Sequence, residues 1–143
     1  MRRILLFCSL ELLLAFSVAW THPARQSQAR AEDDAHFTGE TVTMETTGAG
    51  LTRRRFAAGA RTAWHSHPRG QLLLVEEGRG RIQKQGQAVK ELGPGESDFT
   101  GPGIVHWHGA APGSSVVHMA VNLGGDTKWL EGVTDAEYLA KVK

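Results

Sequence analysis

Between residues 41 and 122 the chain is a succession of short, strand-like runs cut apart by glycine and proline. They fall at 41–47, 51–57, 61–67, 71–77, 79–85, 87–92, 96–100, 104–109 and 115–122. Runs of this length with turn residues at nearly every junction predict an all-β domain, a sandwich or a barrel. Leu72, Leu73, Leu74 and Val75 are apolar on both faces, which suits a strand lying between the interior and a second layer or subunit. No internal repeat and no heptad pattern interrupts the series. The last run, SVVHMAVNL, sorts His118, Ala120 and Asn122 with Val116 onto one face, and Val117, Met119 and Val121 onto the other. The second face is wholly apolar, so His118 and Asn122 are expected to point into whatever the barrel encloses.

Within this frame two histidine pairs stand out. His65 and His67 lie two apart, as do His106 and His108. Side chains two apart on a strand share a face, so each pair can aim both imidazoles at one point, with Trp64 and Ser66 facing away. Imidazole nitrogen ligates Zn, Cu, Fe, Ni and Mn. A single such pair is equally well read as two half-exposed histidines bonded to carbonyls or water. Two pairs, each introduced by glycine punctuation, point to a metal site. Same-face spacing does not by itself separate His106 from His108 as the ligand.

The spacing of both stretches resembles the two motifs of the cupin family. Gly59, His65, His67, Gln71 and Gly78 match the first throughout, with glutamine where most metal-binding cupins carry glutamate. Gly95, Gly103 and His106 match the second, with Gly101 in place of proline and Ala110 in place of asparagine. The retained glutamine, together with GARTAWH (59–65), HWHGAAP (106–112), Phe37-Thr38-Gly39 and Val133-Thr134-Asp135, is similar to the small cupin-type, Mn-dependent (R)-hydroxynitrile lyases. This resemblance spans roughly residues 36–138. It implies a cupin-type β-barrel (double-stranded β-helix, or jelly roll), a homodimer, and metal ligands at His65, His67, Gln71 and His106. It also implies His108 and His118 as proton-transfer or cyanide-stabilising groups. Thr52, Arg54 and Asn122 fall at substrate-pocket positions, where those enzymes carry small or apolar residues and a glutamine.

Three imidazoles and an amide oxygen form a neutral ligand set, which leaves a divalent ion its full charge. Such a set favours polarising a substrate oxygen over stabilising an oxidised metal. Mn2+ is the expected ion, with Fe2+, Zn2+ or Ni2+ as alternatives, and a small molecule is the expected partner. The leading expectation is metal-assisted lyase chemistry on a small oxygenated substrate, with reversible cyanohydrin cleavage as the form that the resemblance implies. The alternatives are a cupin oxygenase acting on a small enol or alkene, and a non-catalytic periplasmic module that binds metal or ligand.

The amino-terminal segment reads differently. Arg2 and Arg3 precede an apolar run from Ile4 to Trp20, the pattern of a secretory signal, with small residues for cleavage at Ser17-Val18-Ala19 and at Ala29-Arg30-Ala31. Glu11 within the run weighs against a stable membrane span, so membrane attachment is expected only through an uncleaved leader. The expected organisation is a signal peptide and cleavage region over 1–31, a linker and entry segment over 32–40 and the cupin domain over 41–143, secreted to the periplasm. Cys8, the only cysteine, would leave with the leader. The first 31 residues hold four of 16 basic and one of 15 acidic residues, leaving 12 against 14, a balance that gives no indication of nucleic-acid binding. The one basic run, Arg53-Arg54-Arg55, alternates between faces and reads as a solvated patch. Residues 21–35 are polar and read as a tether, with His22 and His36 as surface histidines. At the other end, Thr134-Asp135-Ala136-Glu137 is a capping box that should open a short helix reaching about Val142, packed on the barrel by Trp129 and Tyr138.

Overall fold

The computed structural model describes residues 35–48 and 50–143. The proposed leader and most of the tether, with His22, lie outside the described residues. Twelve strands and one helix are described: β1 Phe37–Thr38, β2 Thr41–Thr46, β3 Leu51–Phe56, β4 Arg61–Thr62, β5 His65–Ser66, β6 Gln71–Gly78, β7 Gly80–Lys84, β8 Lys90–Leu92, β9 Ser97–Thr100, β10 His106–Ala110, β11 Val116–Asn122, β12 Lys128–Trp129 and α1 Asp135–Tyr138. They build two antiparallel sheets. One has the order β2-β3-β11-β6-β9. In the other, β10 lies between β7, which carries β8 on its far side, and the pair β4/β5, which carries β1 and β12. Curled face to face, the sheets form the expected all-β cupin-type barrel.

Alternation along the strands explains how the barrel fills. Leu73 and Val75 of β6, Val116 and Ala120 of β11, Phe56 of β3, Ile82 of β7 and Ala110 of β10 meet in one buried apolar cluster. It closes one part of the interior and leaves the histidines the rest. On the outer side of β10, Trp107 is fully buried with Trp64, Val89, Val133 and Tyr138. Trp64 thus faces away from the histidines, as expected. Gly109 allows this layering, because a Cβ there would run into Ala60 O and Arg61 Cα, where the chain enters β4 beside it.

Several expectations at the ends of elements need correction. Run 61–67 is not one strand: the chain leaves the ladder at Ala63 and Trp64, whose amides donate to His36 O and Glu131 O instead. The helix begins as predicted, with both bonds of the Thr134–Glu137 capping box present, but it ends at Tyr138 rather than near Val142. Tyr138 does pack it on the barrel, donating its hydroxyl to Ala110 O at 2.7 Å. Trp129 does not, because β12 pairs with β5 and sets Trp129 opposite His65. Nor is His36 a free surface group, since it stacks on Trp129 at 4.4 Å between centroids.

Candidate metal centre

Strand register gathers the histidines. His106 is the Cα partner of His65, and the two rings lie 4.3 Å apart. His67 follows two residues later, 5.1 Å from His65 and 5.5 Å from His106. Gln71 opens β6 in the opposite sheet and reaches His106 across the barrel. His108 and His118 face each other from the two sheets at 4.9 Å, with Phe56 4.9 Å from His118. All six of these polar side chains are buried. Nitrogens of His65, His106 and His108 lie within 4.8 Å of one another, a geometry that suits a metal ion. His67 is outside that compact triple, but its buried Nε2 has no hydrogen-bond partner among the described residues.

The hydrogen bonds test whether a cation belongs here. His65 Nδ1 lies 2.9 Å from Ala63 O, which keeps the proton on Nδ1 and the lone pair on Nε2. His106 Nδ1 likewise lies 3.1 Å from Ile104 O, while its Nε2 lies 2.9 Å from Gln71 Oε1. Gln71 Nε2 donates to Asn122 Oδ1 at 2.8 Å, so the oxygen of the amide is the end turned toward His106. Both ring nitrogens of His106 therefore face carbonyl oxygens. A neutral imidazole has one N–H and can satisfy only one of them. Protonating the ring would satisfy both, but burial lowers the His106 pKa. A cation held by both Nε2 and Oε1 would remove the conflict, because each atom would then offer it a lone pair. The donor set fits a divalent metal.

Burial sets the electrostatics throughout. Desolvation pushes His118 and His67 down to about 4, with the Arg54 guanidinium further lowering His118 and His106 further lowering His67. His65 and His108 lie well below 6.5 for the same first reason. All five rings are neutral near pH 7. Neither ring nitrogen of His118 has a partner among the described residues, an arrangement that leaves one donor and one acceptor for a ligand.

A cavity of about 120 Å3 opens onto this cluster. It brings together the expected pocket residues Thr52, Arg54 and Asn122 with His65, His67, Gln71, His108 and His118; His106 stands behind them. Of the arginine run, only Arg54 turns inward, its guanidinium carbon 4.1 Å from the Phe37 centroid and its Nη1 donating to Thr41. Arg53 and Arg55 pair on the outside with Glu76 and Glu77. The pocket also contains Phe37, Phe56, Thr62, Ala120, Thr127 and Trp129, none of which was singled out as a site residue. Strand parity would have found Phe56 and Ala120, which share faces with Arg54 and with His118. Thr127 and Trp129 arrive on a two-residue strand without a pattern of its own.

Residues 52–124 match the model of the cupin domain family. This chain belongs to the cupin family. It is 48% identical over 112 residues to an (R)-mandelonitrile lyase of Granulicella tundricola, with 76% of each chain covered. Among solved structures it is similar to a cupin-like protein from Thermotoga maritima, with a TM-score of 0.66 and 38% identity over 72% of this chain and 85% of that one. A polyketide cyclase from Streptomyces resistomycificus shares the fold at a TM-score of 0.52 and 21% identity, covering 72% and 76%.

Proposed function

We propose that this cupin is a metal-dependent lyase that reversibly cleaves small cyanohydrins to a carbonyl compound and hydrogen cyanide. His65, His67, Gln71 and His106 would hold one divalent ion, Mn2+ in the first instance. The observation that carries the reading is the facing pair Gln71 Oε1 and His106 Nε2, two acceptors at 2.9 Å beside a cavity that also receives a partnerless imidazole. Similarity to a mandelonitrile lyase supports the choice of substrate.

When bound, the ion supplies Lewis acidity toward a substrate oxygen, undiminished by any carboxylate ligand. The remaining work falls to the chain. The unprotonated nitrogen of His118 takes the hydroxyl proton, and the O–H electron pair forms the carbonyl. The C–CN bond breaks with its pair on cyanide, which accepts a hydrogen bond from His108 and then the proton carried by His118. Phe37, Phe56 and Trp129 present aromatic surface to the substituent on the carbinol carbon.

Arg54 in the wall favours a second reading, an oxygenase acting on a small anionic enol, because a guanidinium recognises carboxylates. Incubating Mn2+-loaded protein with mandelonitrile separates the two. Benzaldehyde and cyanide forming faster than with free Mn2+ support the lyase. No cleavage, but O2 uptake on a carboxylated enol, would replace it with the oxygenase; stoichiometric metal with neither activity would leave a binding module. In the cell we propose an exported, periplasmic homodimer of the cupin domain, made with a removable leader over 1–31, in which 32–40 is the linker and entry segment whose Phe37 and Thr38 pair with β4.

A further inference from the structure

A glutamine ligand has a weakness that a glutamate lacks. A carboxylate presents the same oxygen whichever way it turns, whereas an amide has a wrong way round that points an NH2 group at the ion. A cupin with glutamine at this position therefore needs something to choose the orientation. Gln71 Nε2 donates to Asn122 Oδ1 at 2.8 Å, and the same amide turns Oε1 to His106. The pairing is built into the barrel, since Asn122 is the Cα partner of Gln71 on the neighbouring strand. The backbone of Asn122 is itself clamped. Its amide donates to Gly50 O at 2.9 Å, and Gly50, at φ +79°, comes so close that a Cβ there would lie 2.6 Å from Asn122 O.

We propose that Asn122 is a positioning residue for the metal centre: its side-chain oxygen selects the Gln71 orientation that offers Oε1 to the ion. This rests on Gln71 serving as a ligand, as proposed above, and it takes Asn122 from the substrate wall into the support of the site. Loss of such an outer-shell partner typically weakens metal binding about tenfold to a hundredfold.

The test is a double-mutant cycle read as Mn2+ affinity by EPR, with melting of the metal-free proteins as a control. Asn122→Ala should weaken Mn2+ binding at least tenfold, while Asn122→Asp, which keeps an acceptor, should bind within threefold of wild type or tighter. In a Gln71→Glu background the Asn122→Ala penalty should shrink below threefold, because a carboxylate needs no orientation. A merely structural role would carry the same penalty in both backgrounds, and that result overturns the proposal, as does an Asn122→Ala variant that binds like wild type. Wild-type protein that binds no Mn2+ would instead overturn the metal centre itself.

Discussion

At the scale of single residues, the histidines tie pH to both stability and rate. The unfolded chain takes a proton on His118 below about 6.5, whereas the folded chain refuses it until about 4. Between those values the unfolded state binds more protons, so stability rises with pH across this window and is lost as pH falls through it. Above about 6.5 neither state is protonated and the effect is flat. For His118 alone the full shift corresponds to about 3 kcal/mol. Urea titrations of metal-free protein should show destabilisation setting in below about pH 6.5, and His118→Leu should flatten the slope. On the lyase reading, His118→Ala should retain metal and lose roughly a hundredfold or more in cleavage rate; a variant that simply melts would make His118 a packing residue. The pairs His65/His67 and His106/His108 and the odd Gln71 were legible because their spacing alone fixes a shared face. What was not legible is orientation. Whether an amide shows its oxygen or its nitrogen depends on Asn122, which lies 51 residues away.

At the scale of elements, the strands around the centre followed the sequence closely, whereas the pieces that finish the pocket did not. Runs 51–57, 71–77, 104–109 and 115–122 became β3, β6, β10 and β11, because each pairs along its length with its neighbours. β1 and β12 are two residues each and owe their conformation to β4 and β5, so no local period announces them. The helix stops early for a related reason: four residues suffice to seat Tyr138 against Trp107 and Ala110 O. Arg61 fastens it further, donating to Val133 O and Asp135 and lying over the Tyr138 ring, as Arg81 does by donating to Tyr138 O. The Arg61 side chain is 7% exposed and that of Asp135 85%, so the two ends of this ion pair differ in weight. Arg61→Met should cost about 1–3 kcal/mol, because it orphans a buried carbonyl, while Asp135→Asn should cost less than about 1 kcal/mol. Equal losses in thermal melts would place the fastening in the charge pair instead.

At the scale of the whole molecule, one barrel face is covered and the other is open. Trp64, Trp107 and Tyr138 close the outer side of the β10 sheet. On the β6 sheet, Leu72 and Phe99 are register partners yet stand 39% and 53% exposed, beside half-buried Met119 and Val121. The run Leu72–Val75, apolar on both faces, foreshadowed this: Leu73 and Val75 went inward, and the outer pair meets no covering layer among the described residues. A second copy is the expected cover. Sedimentation should give a dimer that Leu72→Asp converts to monomer, whereas a monomeric wild type would refute it.

The proposed centre is reached most directly through Gln71, the one unusual member of its donor set. Mandelonitrile cleavage should be measured per bound Mn2+ in wild type and in Gln71→Glu, with metal content determined on the same samples. A carboxylate in place of the amide should hold the ion at least as tightly and reduce the rate per bound ion at least tenfold, because it lowers the charge felt by the substrate oxygen. An equal or faster rate in Gln71→Glu would contradict a mechanism driven by a neutral ligand set.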